Sequence, residues 1–343
     1  MRHMFSGLLL FLFTSNSLLQ AQTIQLDTLL RDKISIRAIA IDQGKIWYAG
    51  DKGRFGSIHL KDRSKNEHHI TKDTFDIEFR SLAQTHSDVL VANVGNPALL
   101  YKISKEDARC QLVYQEKHEK VFYDSMQFWN DREGIAIGDP TENCFSVLLT
   151  KDGGQTWHKQ SCQNLPALSE GEAAFAASNT NIVVKGSKTW IVSGGVKSRV
   201  FFSTDKGKTW TVAETPIVQG KAMTGIFTAD FYDERNGIIA GGDYEIQDQN
   251  FSNKAITNDG GKTWKPIAEN QGFGYASCIQ YVPKSKGQEL MCVGGTGIWY
   301  SSDGAQTWKK LSDAKDLYTL RFADEHTAIA AGRGKIVRIK IQK

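Results

Sequence analysis

An all-β fold, a seven-bladed β-propeller of four-stranded antiparallel blades, is what the sequence predicts, on three observations. One eight-residue hairpin sequence occurs four times, with its aspartates at 152, 205, 259 and 303. Short apolar stretches run into a glycine at Gly50, Gly95, Gly138, Gly195, Gly242, Gly295 and Gly332. Residues 22–343 shared among seven such units leave about 46 residues each, the size of a four-stranded blade. Six and eight blades are the alternatives.

The four hairpins are Thr150 to Trp157 (TKDGGQTW), Ser203 to Trp210 (STDKGKTW), Thr257 to Trp264 (TNDGGKTW) and Ser301 to Trp308 (SSDGAQTW). Asp152, Asp205, Asp259 and Asp303 can accept hydrogen bonds from the amides of their own turns. Gly154, Gly207 and Gly261 provide a positive φ where a side chain would clash. Ala305 stands at the fourth such position, so that turn is expected to be strained or differently shaped. Trp157, Trp210, Trp264 and Trp308 open the return strands and wedge against their neighbours. The set resembles the Asp-box (BNR repeat) of sialidases and other propellers, a structural motif that implies fold rather than activity.

The ends are expected to meet. After Gly332 only one further strand follows, KIVRIKI, so the last blade lacks its outermost strand. The N-terminal TIQLDTLL has no blade of its own and is expected to supply that strand, closing the ring and covering an exposed edge.

Composition removes several classes. A net charge of +4 with no clustered basic stripe does not suggest nucleic acid. Arg2 and His3, then an apolar run from Gly7 to Phe13, then Ala21, read as a secretion signal over residues 1–21. The alternative is an uncleaved anchor. The expected product is an exported protein, periplasmic or extracellular, with the propeller over residues 22–343 and no transmembrane segment. A monomer is expected.

Blade topology sorts residues between two faces. The acidic hairpins join third to fourth strands and lie on one face. The opposite face collects the starts of innermost strands and the ends of second strands. Arg37, Arg80 and Asp124 occupy similar places on the first three blades. Glu172, Ser178 and Asn179 fall in a long insertion, SCQNLPALSEGEAAFAASNTN, and Asp139, Arg199, Asp243 and Tyr244 come from second-to-third-strand links. Arg37, Arg80, Asp124, Asp139, Glu172, Ser178, Arg199, Asp243 and Tyr244 are therefore the expected ligand-binding residues, acting by charge-assisted hydrogen bonds. The competing expectation is a set of ion pairs that neutralise a crowded axis. A long loop on a rigid scaffold favours binding.

No catalytic residue is assigned. A sialidase-like glycoside hydrolase is the alternative, built on Arg37, Arg80, Arg199, Tyr244 and Asp139. The Arg-Ile-Pro run expected near such an enzyme's N-terminus is missing from ISIRAIAI. GGTGIWY leads into a strand and not a helix, so no dinucleotide fingerprint is present. No Cys-x-x-Cys or His-x-x-x-His spacing occurs, and the hairpins do not match calcium-loop spacing. No cofactor and no metal are expected. Cys144 and Cys162 straddle the first acidic hairpin, so a cross-strand disulfide is open to them. Cys278 and Cys292 read as buried thiols, and Cys110 has no evident partner.

Beyond the hairpins, EFRSLA, FYDSMQFWNDREGIAIGDPTENCFSVLLTKDGGQTW, GEAAFAASNTN, RVFFSTDKGKTWTVAETPI and GIFTADFYDERNGIIAGGDY resemble the photosystem II stability/assembly factor family of WD40/YVTN-like propellers, and its non-photosynthetic bacterial branch. The resemblance implies a seven-bladed propeller and a non-catalytic assembly role. The expectation is a propeller that binds a protein or glycan ligand of the cell envelope.

Overall fold

The computed structural model describes residues 22–72 and 77–342; the proposed secretion segment lies outside the described residues. Strands dominate. The one helical element among the described residues is a single 3-10 turn, Cys162–Asn164, and no helix there is long and apolar enough to cross a membrane.

The described strands form six hydrogen-bonded sheets, not the seven separate four-stranded blades expected. Four sheets are four-stranded: Phe79–Gln84 to Cys110–Glu116, Tyr123–Phe128 to His158–Lys159, Ile182–Lys185 to Thr211–Glu214, and Ala276–Tyr281 to Lys309–Ser312. A fifth runs from Thr224–Phe231 to Lys265–Pro266 and gains two short strands, Gly194–Gly195 and Glu172–Ala173. The sixth joins the chain ends. Its order is Leu317–Asp324, Thr327–Gln342, Thr23–Asp42, Lys45–Gly50, Arg54–His59 and Lys65–His69.

The physical reason for the lower count is one uninterrupted strand. Thr23–Asp42 pairs with Thr327–Gln342 from Thr23 opposite Gln342 to Ser35 opposite Arg333. It then continues, without leaving the sheet, into pairing with Lys45–Gly50 from Ile36 opposite Gly50. The expected closure, a self-contained last blade completed by the N-terminal strand, is corrected accordingly: first and last strand sets are one sheet.

Innermost strands meet in chain order around a single axis, and Leu317–Asp324 returns to lie against Thr23–Asp42. Sheets pack face to face through apolar side chains. Ala38, Trp47 and Phe55 of one sheet bury against Phe79, Leu82 and Val91 of the next, and each such large side chain contributes about 1.5–3 kcal/mol on leaving water. The recurring strand-into-glycine pattern has a steric cause. A Cβ on Gly138 would sit 2.2 Å from the Phe122 carbonyl oxygen, and one on Gly332 would sit 1.8 Å from that of Asp316. At each of these glycines the second strand lies too close to the main chain entering the first strand for any side chain.

The four acidic turns share one hydrogen-bond scheme. Asp259 Oδ1 accepts from the amides of Lys262 and Thr263 at 3.0 and 3.1 Å, and Oδ2 accepts from Thr263 Oγ1 at 2.7 Å. Trp264 Nε1 closes the turn on the Gly261 carbonyl at 3.1 Å. Asp152, Asp205 and Asp303 accept in the same way from Thr156, Thr209 and Thr307. Ala305 keeps the turn by adopting φ 70°, a left-handed conformation that disfavours a Cβ, while its amide still donates to Ser301 Oγ. The fourth turn is therefore strained but not differently shaped.

Burial works against the charge of Asp259, yet the Thr263 hydroxyl and amide outweigh it and hold the carboxyl down to about 2. A lowered value adds stability that is present above the unfolded carboxylate range and lost as pH falls through the folded value. Asp259→Ala is expected to cost about 1–3 kcal/mol in urea unfolding at pH 7. That difference should shrink as pH is lowered towards 2; a deficit that stays constant with pH would count against the charged turn.

Candidate functional site

The axis is not an open channel. Residues 174–181, between Glu172–Ala173 and Ile182–Lys185, run into it and fill it. Asn179 stands there with φ 58°, a conformation Asn tolerates. Its Oδ1 accepts from the Met126 amide at 3.0 Å and from Ser81 Oγ at 3.2 Å, and its Nδ2 donates to the Leu82 carbonyl at 2.7 Å. Ser178 Oγ donates to the Ser277 carbonyl at 2.7 Å, while its own carbonyl accepts from Thr319 Oγ1 at 3.0 Å. Thr180 Oγ1 bonds Thr228 Oγ1 at 2.8 Å. Arg321 Nη2 reaches the Asn179 carbonyl at 3.2 Å. The plug divides the axis into two mouths. On the face of the acidic turns it leaves a cavity of about 380 Å³ lined by Gln84, Gln127 and Arg321, with Asn179 as part of its wall.

The opposite mouth carries the residues singled out from sequence. Arg37 Nη1 donates to the Ala177 carbonyl at 3.3 Å, and its guanidinium stacks 4.2 Å over the Tyr318 ring. Its Nε is buried without a hydrogen-bond partner, and no carboxylate pairs with it among the described residues. Burial first, and the neighbouring Arg80 charge second, lower its pKa. Arg80 donates from Nε to Glu78 at 2.8 Å and stands over the Phe122 ring. Exposed Arg333 joins the same mouth through Tyr318, whose charge and hydrogen bond raise the arginine's pKa.

An aromatic wall borders these arginines. Phe175 stacks on Phe227 with ring centroids 3.9 Å apart, Tyr275 meets Phe227 edge-on at 4.8 Å, and Tyr244 meets Tyr275 edge-on at 5.1 Å. Tyr244 is exposed, as are Ile246 and Phe251 further along the same loop. Asp243 starts that loop. It is buried, accepts from the amides of Glu245 and Ile246, and pairs with Lys221 at 3.3 Å. Burial opposes its charge, but the Glu245 amide and Lys221 prevail and hold the carboxyl below its ordinary value.

The remaining sequence-derived residues separate into three kinds. Glu172 and Arg199 are a buried, self-satisfied pair: Arg199 Nη2 lies 2.5 Å from Glu172 Oε2 and Nε 2.9 Å from Oε1, with Ser193 Oγ adding a bond at 2.7 Å. Ser178 is fully buried inside the plug and not on the face. Asp124 is also fully buried, with neither carboxylate oxygen hydrogen-bonded among the described residues, beside Asp139, which accepts from the Ala174 amide at 3.0 Å. Arg37, Arg80 and Tyr244 stand at the mouth, and Asp139 lines a cavity of about 600 Å³ on the same face. Arg333, Tyr275, Tyr318, Phe175 and Phe227 were not anticipated. Tyr318 could have been, because YTLRFA aligns with RAIAID and RSLAQT and places it where Arg37 and Arg80 stand.

Cys144 and Cys162 form a disulfide with Cα atoms 5.6 Å apart, pinning the start of the link that becomes the plug. Cys278 and Cys292 are buried free thiols and Cys110 is exposed. No group of three or more potential metal ligands occurs among the described residues.

The ring of sheets around a filled axis defines the class, a β-propeller. Solved structures agree. The chain is similar to YCF48 bound to D1 peptide, with 15% identity over 95% of this chain and 97% of that one at a TM-score of 0.68. It is similar to YCF48 from Cyanidioschyzon merolae, with 10% identity over 92% and 98% at 0.64, and to U3-55K, with 10% identity over 92% and 98% at 0.65. No family model matches the chain, and no curated protein does.

Removing one partner of the Glu172–Arg199 pair leaves an unmatched charge in a site built for two. Arg199→Ala is expected to cost about 3–5 kcal/mol in denaturant unfolding. It should cost more than Glu172→Ala, because the carboxylate it strands is the fully buried member of the pair, while the guanidinium keeps some contact with water. A loss under about 1 kcal/mol would mark the pair as peripheral.

Proposed function

We propose that this chain is an exported, non-catalytic propeller that binds a protein ligand at the mouth opposite its acidic turns, as an assembly or stability factor. One observation carries the reading. Arg37 is half-buried, stacked on Tyr318, short of one hydrogen-bond acceptor and without a carboxylate partner among the described residues. A guanidinium held this way is pre-arranged for an acceptor from outside. Arg80 and Arg333 add charge, and the Phe227, Tyr244 and Tyr275 wall offers rigid apolar surface. Likeness to a propeller whose structure holds a D1 peptide supports a peptide as ligand. The four turns fit Asp-boxes, which brace sheets and leave the opposite mouth free to act.

The glycoside hydrolase alternative needs an activated tyrosine beside an acid. Of the set that alternative would use, Arg37, Arg80, Arg199, Tyr244 and Asp139, Arg199 is already bound to Glu172 through both Nε and Nη2.

The test is recovery of binding partners from envelope extract by the immobilised wild-type protein and by the Arg37→Ala/Arg80→Ala variant, whose folding is checked by thermal unfolding. A partner recovered by the wild type should be lost by the variant, about 10-fold or more for two charge-assisted contacts. Equal recovery from a folded variant would remove the face from consideration.

A further inference from the structure

Asp124 is the least explained residue of the mouth. It is fully buried, and neither oxygen finds a hydrogen-bond partner among the described residues. The one amide close enough to favour its charge, that of Asp139, already donates to the Phe122 carbonyl at 2.8 Å. A naked buried carboxylate is not sustainable in an apolar surround; the group carries a proton instead. Its neighbour Asp139 has a single amide donor, from Ala174. Two adjacent carboxyls, one with neither oxygen matched and one with a single amide donor, hold a proton where one alone would ionise. Asp139 also lines a cavity of about 600 Å³ on this face, so a solvent proton can reach it.

We propose that Asp124 and Asp139 form a proton-binding pair that sets the net charge of the mouth, so that the face binds an anionic ligand more tightly when the pair is fully protonated. This rests on the reading of the face as a ligand site. The charged surroundings are on three sides. Arg80, from the adjoining innermost strand, is felt directly by Asp124 and is itself paired with Glu78. Arg37 lies beyond Arg80 and senses its charge. Around the cavity stand Lys120, Glu142, Glu170 and Glu172, the last matched by Arg199.

Burial raises Asp139 to about 6, only partly offset by the Ala174 amide. Burial and then the charge of Asp139 raise Asp124 well above its ordinary range. Between pH 7.5 and 5, then, the pair takes up the proton of Asp139 and the mouth gains one positive charge relative to its ligand. Both folded values exceed the unfolded one, so the pair's contribution to stability is full below about pH 4; it falls as pH rises, through about 6 for Asp139 and further for Asp124.

The experiment has two readouts on the purified protein. The first follows aspartate carboxyl carbons by NMR across pH in wild type and Asp139→Asn. The second measures binding of a peptide carrying three cysteic acid residues, whose sulfonates stay ionised throughout, at pH 5 and 7.5. Thermal unfolding confirms that each variant is folded. The expected result is a carboxyl titrating near pH 6 that is absent from Asp139→Asn, distinct from that of Asp230, which burial also raises to about 6 and which the variant retains. Wild-type binding should be at least about fivefold tighter at pH 5, binding by Asp139→Asn should be equally tight at both pH values, and Arg37→Ala should not bind. A wild-type profile in which no carboxyl near pH 6 is lost on Asp139→Asn overturns the pair. Binding that is abolished by Arg37→Ala but independent of pH overturns the gating alone. No binding at either pH, with the titration as expected, overturns the gating and the ligand reading together.

Discussion

Four residues, Ala177 to Thr180, touch every other innermost strand of the propeller. Ala177 accepts from Arg37, Asn179 binds Ser81, Leu82 and Met126, Thr180 binds Thr228, and Ser178 binds Ser277 and Thr319. Sheets arranged around an axis bury their faces against neighbours but leave polar groups of the innermost strands pointing at an empty centre. A buried polar group without a partner costs about 1–3 kcal/mol. The plug supplies partners to several strands at once, so the ring and the segment that fills it stabilise each other.

That constraint also explains the site. Because the plug occupies the axis, the mouth opposite the acidic turns is a shallow, walled surface and not a pore. The Ala177 carbonyl and the Tyr318 ring hold Arg37 from two sides, and Phe175 enters the aromatic wall from the same segment. The Glu172–Arg199 pair and the Cys144–Cys162 disulfide then anchor the approach to the plug. Elements that look like candidates for chemistry are largely the scaffold that positions Arg37.

The acidic turns were legible because their chemistry is local. Asp, Gly, Thr and Trp within eight residues satisfy one another, so spacing alone reveals them. Glycine at strand ends was legible for a steric reason just as local, seen at Gly138 and Gly332. The sheet count was not, because no residue marks where Thr23–Asp42 passes from one partner strand to the next. Ser178 and Asp124, expected on the ligand face, are fully buried: topology gives a direction, while burial depends on what the inserted segment does. Nothing in GEAAFAASNTN distinguishes a surface loop from a plug, except that its Ala and Ser residues are small enough to cross a crowded centre.

Asn179 couples strands far apart in sequence. Amide hydrogen exchange in Asn179→Ala tests this coupling most directly. If the plug is the shared partner, protection should fall together in strands on several sides of the axis, at Met126 and Leu82 and also at Ala229 and Ile279. If exchange quickens only within residues 176–182, the sheets hold the axis without help, and the plug neither unites the ring nor sets the position of Arg37.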